Sequence, residues 1–108
     1  MADEKTLVRV CRTEDVPMNE ARRFDVNGHR IAVYHLPLGF FATGDTCSHD
    51  EASLSEGELE DTTVECPQHG AVFDLETGKP MTLPATRPVP VYRVVVENED
   101  VLVEDPNG

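Results

Sequence analysis

The sequence predicts an antiparallel all-β domain. Short segments that alternate apolar and polar residues, or that are rich in β-branched residues, recur along the 108 residues with turn signals between them. Helix signals are scarce, and Pro17 interrupts residues 15–22, the one stretch that could form a helical turn. A chain of this length should fold as a single domain, residues 1–108, with a modest core and no second, substrate-binding domain.

The first strands are predicted from alternation and from one hairpin turn. Residues 7–12 alternate between apolar and polar side chains. Residues 22–26 and 29–36 flank Asn27-Gly28, a pair that favours the type I′ turn because both residues tolerate positive φ. The two flanking segments should therefore pair as a hairpin.

Five further segments are predicted as short strands. They cover residues 40–43, 62–66, 71–75, 91–96 and 101–104, with turns at 76–79 and 97–100. Short strands at regular spacing are typical of β-sandwiches and barrels.

Two short pairs of potential metal ligands lie in the middle of the chain. Cys47-Ser48-His49 and Cys66-Pro67-Gln68-His69 each offer one thiolate sulfur and one imidazole nitrogen, and sixteen residues separate the pairs. Folding one loop against the other gives two sulfur and two nitrogen donors, a set that suits zinc or an iron–sulfur centre. A zinc finger of the C2H2 type takes its thiols from one element and its imidazoles from another, whereas here each loop carries one of each.

The pattern C-x-H-x16-C-x2-H, followed by Gly70, resembles the Rieske cluster motif. Residues from about 43 to 84 resemble its two cluster loops and the proline-containing segment that follows them. The resemblance implies a Rieske-like fold, in which an antiparallel β-sandwich or barrel base carries this stretch as an inserted cluster-binding subdomain.

The same resemblance implies a ligand set for one 2Fe-2S cluster. Cys47 and Cys66 would bind the inner ferric iron, and His49 and His69 would bind the outer iron and pass electrons to a partner. The four residues are thus the expected cofactor-binding and metal-ligating residues. A structural zinc site held by the same four residues is the alternative.

The chain departs from the high-potential members of that family at four positions. Their two additional cysteines, which form a disulfide, correspond to Ala52 and Gln68 here, so no such bridge can form. Their serine and tyrosine hydroxyls, which donate hydrogen bonds to sulfur, correspond to Ala71 and Phe73. Such donors stabilise the reduced cluster, so we expect a reduction potential toward the low end of the Rieske range, near about −150 mV.

Negative charge is concentrated in the middle of the chain. The net charge is −12, which disfavours binding to nucleic acid and favours a basic partner. No Lys or Arg lies between Ile31 and Gly78, whereas ten residues there are acidic: Asp45, Asp50, Glu51, Glu56, Glu58, Glu60, Asp61, Glu65, Asp74 and Glu76. This half of the protein could guide a partner electrostatically, or it could simply keep the protein soluble.

Several features suggest a cytoplasmic protein. Residues 1–5 do not resemble a secretory signal, and the longest apolar run, residues 31–42, is too short and too interrupted to span a membrane. Cys11 is the third cysteine and is expected to pack in the core, and an odd cysteine count suits a reducing compartment.

His29 and His35 are the remaining histidines, and both lie in predicted strand segments. We interpret them as a histidine at a turn edge and a half-buried strand histidine. They do not support the mononuclear iron site that an oxygenase would need.

Together, the motif and the resemblance predict an electron carrier that is not itself an enzyme. It would be similar to the Rieske ferredoxins of bacterial aromatic-ring-hydroxylating dioxygenase systems, which carry single electrons from an NAD(P)H-dependent flavoprotein reductase to a terminal dioxygenase. Contacts with these partners would be transient and the protein monomeric. A Rieske-like small subunit of NAD(P)H nitrite reductase and a structural zinc-binding module are the alternatives.

Overall fold

Three antiparallel sheets form most of the computed structural model, which describes residues 6–46, 53–67, 70–81 and 88–105. The strands are β1 (Leu7–Arg12), β2 (Glu20–Val26), β3 (His29–Leu36), β4 (Gly39–Gly44), β5 (Glu58–Glu60), β6 (Thr63–Glu65), β7 (Val72–Asp74), β8 (Val91–Tyr92), β9 (Val94–Glu97) and β10 (Asp100–Glu104). Two single 3₁₀ turns, Thr13–Asp15 and Leu54–Glu56, are the only helical elements within the described ranges. The predicted all-β class is confirmed.

Two of the sheets belong to the base, and the third carries one of the ligand loops. The base sheets have the strand orders β1-β10-β9 and β2-β3-β4-β8, and the third sheet has the order β5-β6-β7. Asn27 and Gly28 have φ angles of 50° and 86°, which confirms the type I′ turn between β2 and β3.

Strand β3 is buried on both faces and separates two apolar cores. Ile31 and Val33 face a core built with β1, β2, β4 and β10, whereas Ala32, Tyr34 and Leu36 face a core that contains residues of β6, β7 and the Leu54–Glu56 turn. Because side chains alternate along a strand, one segment supplies both cores. The cluster-loop side of the molecule is therefore packed directly on the base.

Several predicted strand boundaries differ from those in the structure. Residues 15–22 were open to either a helical turn or a loop, and the 3₁₀ turn lies earlier, at Thr13–Asp15. Strand β2 begins at Glu20, before the predicted residue 22, because its pairing with β3 extends to His35. The predicted strand 91–96 is divided at Arg93, where the chain passes from pairing with β4 to pairing with β10.

Strand β5 was not predicted at all. Its sequence, Glu58-Leu59-Glu60, is mostly acidic and only three residues long, and it becomes a strand because it pairs with β6. No helix within the described part of the chain is long and apolar enough to cross a membrane.

Candidate metal centre

Cys66 is the one predicted ligand within the described residues. It follows β6 and is 1% exposed, and its amide donates to the carbonyl oxygen of Ala71 at 2.6 Å. The amide of Gly70 donates back to the carbonyl oxygen of Cys66 at 3.0 Å, and Gly70 has a φ of 74° that favours glycine. These bonds close the ends of the second ligand loop. His69 belongs to that loop but lies outside the described residues, as do Cys47 and His49.

The first ligand loop leaves the end of β4 and is closed where the chain returns. Thr46 and Ser53 form an isolated antiparallel bridge, and the amide of Leu54 donates to the carbonyl oxygen of Asp45 at 2.6 Å. Cys47 and His49 lie in sequence between the two bridged residues. Each predicted ligand pair is therefore carried by a loop whose two ends are hydrogen-bonded to each other.

The ends of both loops meet in one apolar cluster. Cys66 and Leu54 belong to the same core, together with Ala71 and Phe73, and each of the four is at most 1% exposed. This packing brings the end of the first loop to the beginning of the second and excludes water from the Cys66 side chain. A thiol in such a place suits a metal centre that needs a dry environment on its protein side.

The donor set of the two loops fits a Rieske-type cluster. Cys66 supplies one sulfur from a buried position, and the sequence places one thiol and one imidazole in each loop. Within the described residues, no three His, Cys, Asp or Glu side chains are grouped as a metal site. Cys11, which is buried and free, lies in the base core and not with Cys66, in agreement with its predicted packing role.

Ala71 and Phe73 are fully buried beside Cys66. Neither side chain has a hydroxyl, so at these two positions no side chain can donate a hydrogen bond to sulfur. Of the two loop positions Ala52 and Gln68, neither lies within the described residues.

The two remaining histidines have the structural roles that were predicted. His29 is exposed at the first position of β3. His35 is half-buried, its Nδ1 lies 2.8 Å from the carbonyl oxygen of Val16, and its ring stacks on Phe40 with 4.0 Å between centroids.

Acidic side chains line the surface beside the second ligand loop. A groove of about 330 Å³ is bordered by Glu56, Glu58 and Glu65 and reaches Cys66 and Pro67. By contrast, the ion pairs that the described residues contain join base residues, such as Arg9 with Asp100 and Arg12 with Glu99. Negative charge therefore borders the site at the level of the second loop.

Sequence reasoning missed the structural importance of Asp45. It counted this residue only among the acidic ones, but the side chain is 2% exposed and is hydrogen-bonded within the base of the first ligand loop. The partners follow it by eight and ten residues, so a periodic pattern could not reveal them.

Comparisons with a family model and with known proteins point to the same family. The family model of the Rieske [2Fe-2S] domain matches residues 6–93. The chain is 47% identical over 102 residues to the 3-phenylpropionate/cinnamic acid dioxygenase ferredoxin subunit of Shigella boydii serotype 4 (strain Sb227), and the match covers 94% of this chain and 95% of the relative.

Solved structures agree with the sequence relatives. The ferredoxin of carbazole 1,9a-dioxygenase from Nocardioides aromaticivorans IC177 superimposes with a TM-score of 0.87 at 36% identity, covering 92% of this chain and 97% of that chain. A ferredoxin in a complex of reduced oxygenase and oxidized ferredoxin in carbazole 1,9a-dioxygenase gives a TM-score of 0.86 at 39% identity, covering 94% and 95%.

Proposed function

We propose that this chain, which belongs to the Rieske [2Fe-2S] domain family, is the ferredoxin component of an aromatic-ring-hydroxylating dioxygenase system. The observation that carries this function is the match of nearly the whole chain to a dioxygenase ferredoxin subunit at 47% identity. The protein is an electron-transfer component and not the catalyst of the system. Its cofactor is a Rieske-type 2Fe-2S cluster, which when bound supplies reversible one-electron oxidation and reduction.

The ligands that we propose are Cys47, His49, Cys66 and His69. Cys66 lies in a dry, apolar setting, and the hydrogen bonds at the ends of both loops limit the positions that their ligands can take. The thiolates would hold the inner iron and the imidazoles the outer iron. We further propose that residues of about 43–84 form the cluster-binding subdomain within a single domain, 1–108.

The proposed partners are a terminal oxygenase, which receives electrons, and an NAD(P)H-dependent flavoprotein reductase, which supplies them. A related ferredoxin forms a complex with its oxygenase. The acidic groove at Glu56, Glu58 and Glu65 supports encounter with a basic surface, because complementary charge raises the association rate without requiring tight binding. We propose that the chain acts as a cytoplasmic monomer, since a carrier with transient partners and a net charge of −12 has little tendency to self-associate.

The ligand assignment is tested by composition and by spectra. Protein from iron-replete, anaerobic cultures should contain iron and acid-labile sulfide in equal amounts and absorb visible light, and His69→Cys should change both the spectrum and the potential. His35→Gln is the matched control, because His35 is a strand histidine bonded to Val16, and its spectrum should stay unchanged. Colourless protein that contains zinc would instead identify the structural zinc module.

The carrier role is tested by reconstitution with both partners. Addition of NAD(P)H and the reductase should bleach the visible spectrum, and the oxygenase should restore it when its substrate and oxygen are present. The rate should fall with added salt and with Glu58→Gln, whereas Glu97→Gln in β9 of the base should leave it nearly unchanged. A rate that salt and Glu58→Gln leave unaltered would contradict electrostatic guidance.

The small subunit of a nitrite reductase is the weaker alternative. Relatives at 36 to 47% identity are ferredoxins of dioxygenase systems, and these relatives match almost the full chain. Copurification in a stable complex with a sirohaem protein would favour the nitrite reductase function.

A further inference from the structure

A buried carboxylate lies at the base of the first ligand loop. Asp45 follows β4 directly and is 2% exposed. Its Oδ2 accepts the hydroxyl of Ser53 at 2.6 Å, and its Oδ1 accepts the amide of Ser55 at 2.9 Å. Burial of a carboxylate is costly unless its oxygens are hydrogen-bonded. These two hydrogen bonds offset that cost for Asp45.

The hydrogen bonds of Asp45 replace the usual cap of a helical turn. Ser53 occupies the N-cap position of the Leu54–Glu56 turn, but its side chain does not cap that turn. Its hydroxyl donates to Asp45, and the Asp45 carboxylate accepts the amide of Ser55 that a capping side chain would normally bind. The cap is thus supplied by a residue from the other end of the loop.

The main chain repeats the same connection. The amide of Leu54 donates to the carbonyl oxygen of Asp45 at 2.6 Å, and the amide of Asp45 donates to the carbonyl oxygen of Arg30 in β3 at 3.0 Å. Leu54 itself is fully buried in the core that contains Cys66. Asp45 therefore joins the end of β4, the base sheet and the anchored Leu54–Glu56 turn.

We propose that Asp45 is a positioning residue of the iron–sulfur site, an inference that rests on the proposed function. Its carboxylate fixes Ser53 and Ser55, where the first ligand loop returns, against the end of β4, where that loop begins. The proposed ligands Cys47 and His49 lie in sequence between these two points. Mutation of groups that orient metal ligands typically costs roughly 10- to 100-fold in metal affinity or activity. A carboxylate suits this task because its two oxygens accept two donors at once.

The inference is tested on the purified holoprotein with an iron chelator. Asp45→Ala should accelerate the chelator-driven loss of visible absorbance by roughly 10- to 100-fold and broaden the electron paramagnetic resonance of the reduced protein. Asp45→Asn should restore much of both properties, because its amide can still accept from Ser55 and can donate to Ser53.

Asp74→Ala is the matched control. The carboxylate of Asp74 likewise accepts a hydrogen bond from a turn amide, that of Glu76, at 2.8 Å. This turn lies at the end of β7 and carries no predicted ligand. This variant should stay within about twofold of wild type in the rate of absorbance loss. If Asp45→Ala does not fold, Ser53→Ala takes its place, since it removes one of the two bonds to the carboxylate.

Three outcomes would overturn the inference. The first is a rate of chelator-driven absorbance loss in Asp45→Ala, or in its substitute Ser53→Ala, that equals the wild-type rate. The second is an equal acceleration in Asp74→Ala, which would indicate general destabilisation. The third is an Asp45→Asn protein as impaired as Asp45→Ala, which would make charge and not hydrogen bonding the cause. Wild-type protein without iron and sulfide would refute the proposed function instead.

Discussion

Gly57 is a position at which adding a single methyl group should damage the protein by a steric clash alone. Its φ of −80° and ψ of 177° are open to any residue, so Gly57→Ala by itself should stabilise by about 0.4–1 kcal/mol through the unfolded chain. However, a Cβ at Gly57 would lie 2.0 Å from the carbonyl oxygen of Glu65 and 3.2 Å from that of Leu54. Both neighbours are main-chain atoms, which cannot rotate away.

The steric effect should exceed the entropic one. Relief of the clash requires a shift of roughly 1 Å between the Leu54–Glu56 turn and β6, and overpacking of this kind costs about 1–3 kcal/mol. We expect a net loss of about 1–2 kcal/mol in the free energy of unfolding, or a Tm lower by roughly 4–15 °C. Urea and thermal unfolding followed by circular dichroism under anaerobic conditions measure both quantities.

Gly44→Ala is the matched control for Gly57→Ala. A Cβ at Gly44 would meet Cγ of the exposed Pro90 at 2.9 Å, a ring atom that a change of pucker can displace, whereas a main-chain oxygen cannot be displaced in this way. The control should therefore lose less stability than Gly57→Ala. Equal or greater stability of Gly57→Ala relative to wild type would show that β6 does not approach Gly57 as closely as described.

Two further predictions concern the potential and the response to alkali. The wild-type midpoint potential should lie at about −150 mV, and a clearly positive value in potentiometric titration would contradict this expectation. Ala71→Ser with Phe73→Tyr should raise the potential if the new hydroxyls reach sulfur. Burial raises the pKa of the Cys11 thiol to about 11, with a smaller contribution from Asp15. The protonated thiol is therefore favoured in the folded state, and its contribution to stability should be lost as the pH rises from about 9 to about 11. Over that range the free energy of unfolding should fall more in wild-type protein than in Cys11→Ala. An equal fall in both proteins, measured by urea unfolding at each pH, would count against a buried, protonated Cys11 thiol.

Much of the base was predictable because local sequence and final structure agree there. Residues 7–12 and 29–36 are strands with the predicted bounds, and Asn27-Gly28 forms the predicted turn. Strand β5 could not be predicted, since Glu58-Leu59-Glu60 becomes a strand only through its partner β6. The break at Arg93 likewise depends on two sheets competing for one segment.

The donor set of the candidate site could be predicted from the sequence, but the residues that support the ligand loops could not. Two Cys and two His at tight spacings specify a donor set, which sequence alone displays. The residues that shape the loops are recognisable only once distant segments are brought together: Asp45 bonds Ser53 and Ser55, and Gly57 lies against Glu65. Nothing in their residue types distinguishes them from an ordinary surface acid and an ordinary turn glycine.

The double burial of β3 has a consequence for how this protein can change over generations. Ile31 and Ala32 are neighbours in the chain yet face different cores, so a backbone adjustment that suits one core disturbs the other. Substitutions that adapt the cluster side to a new redox partner would have to be compatible with packing in the base. The two halves are therefore expected to coevolve, and grafting the cluster side alone onto a foreign β-scaffold should require a matching central strand.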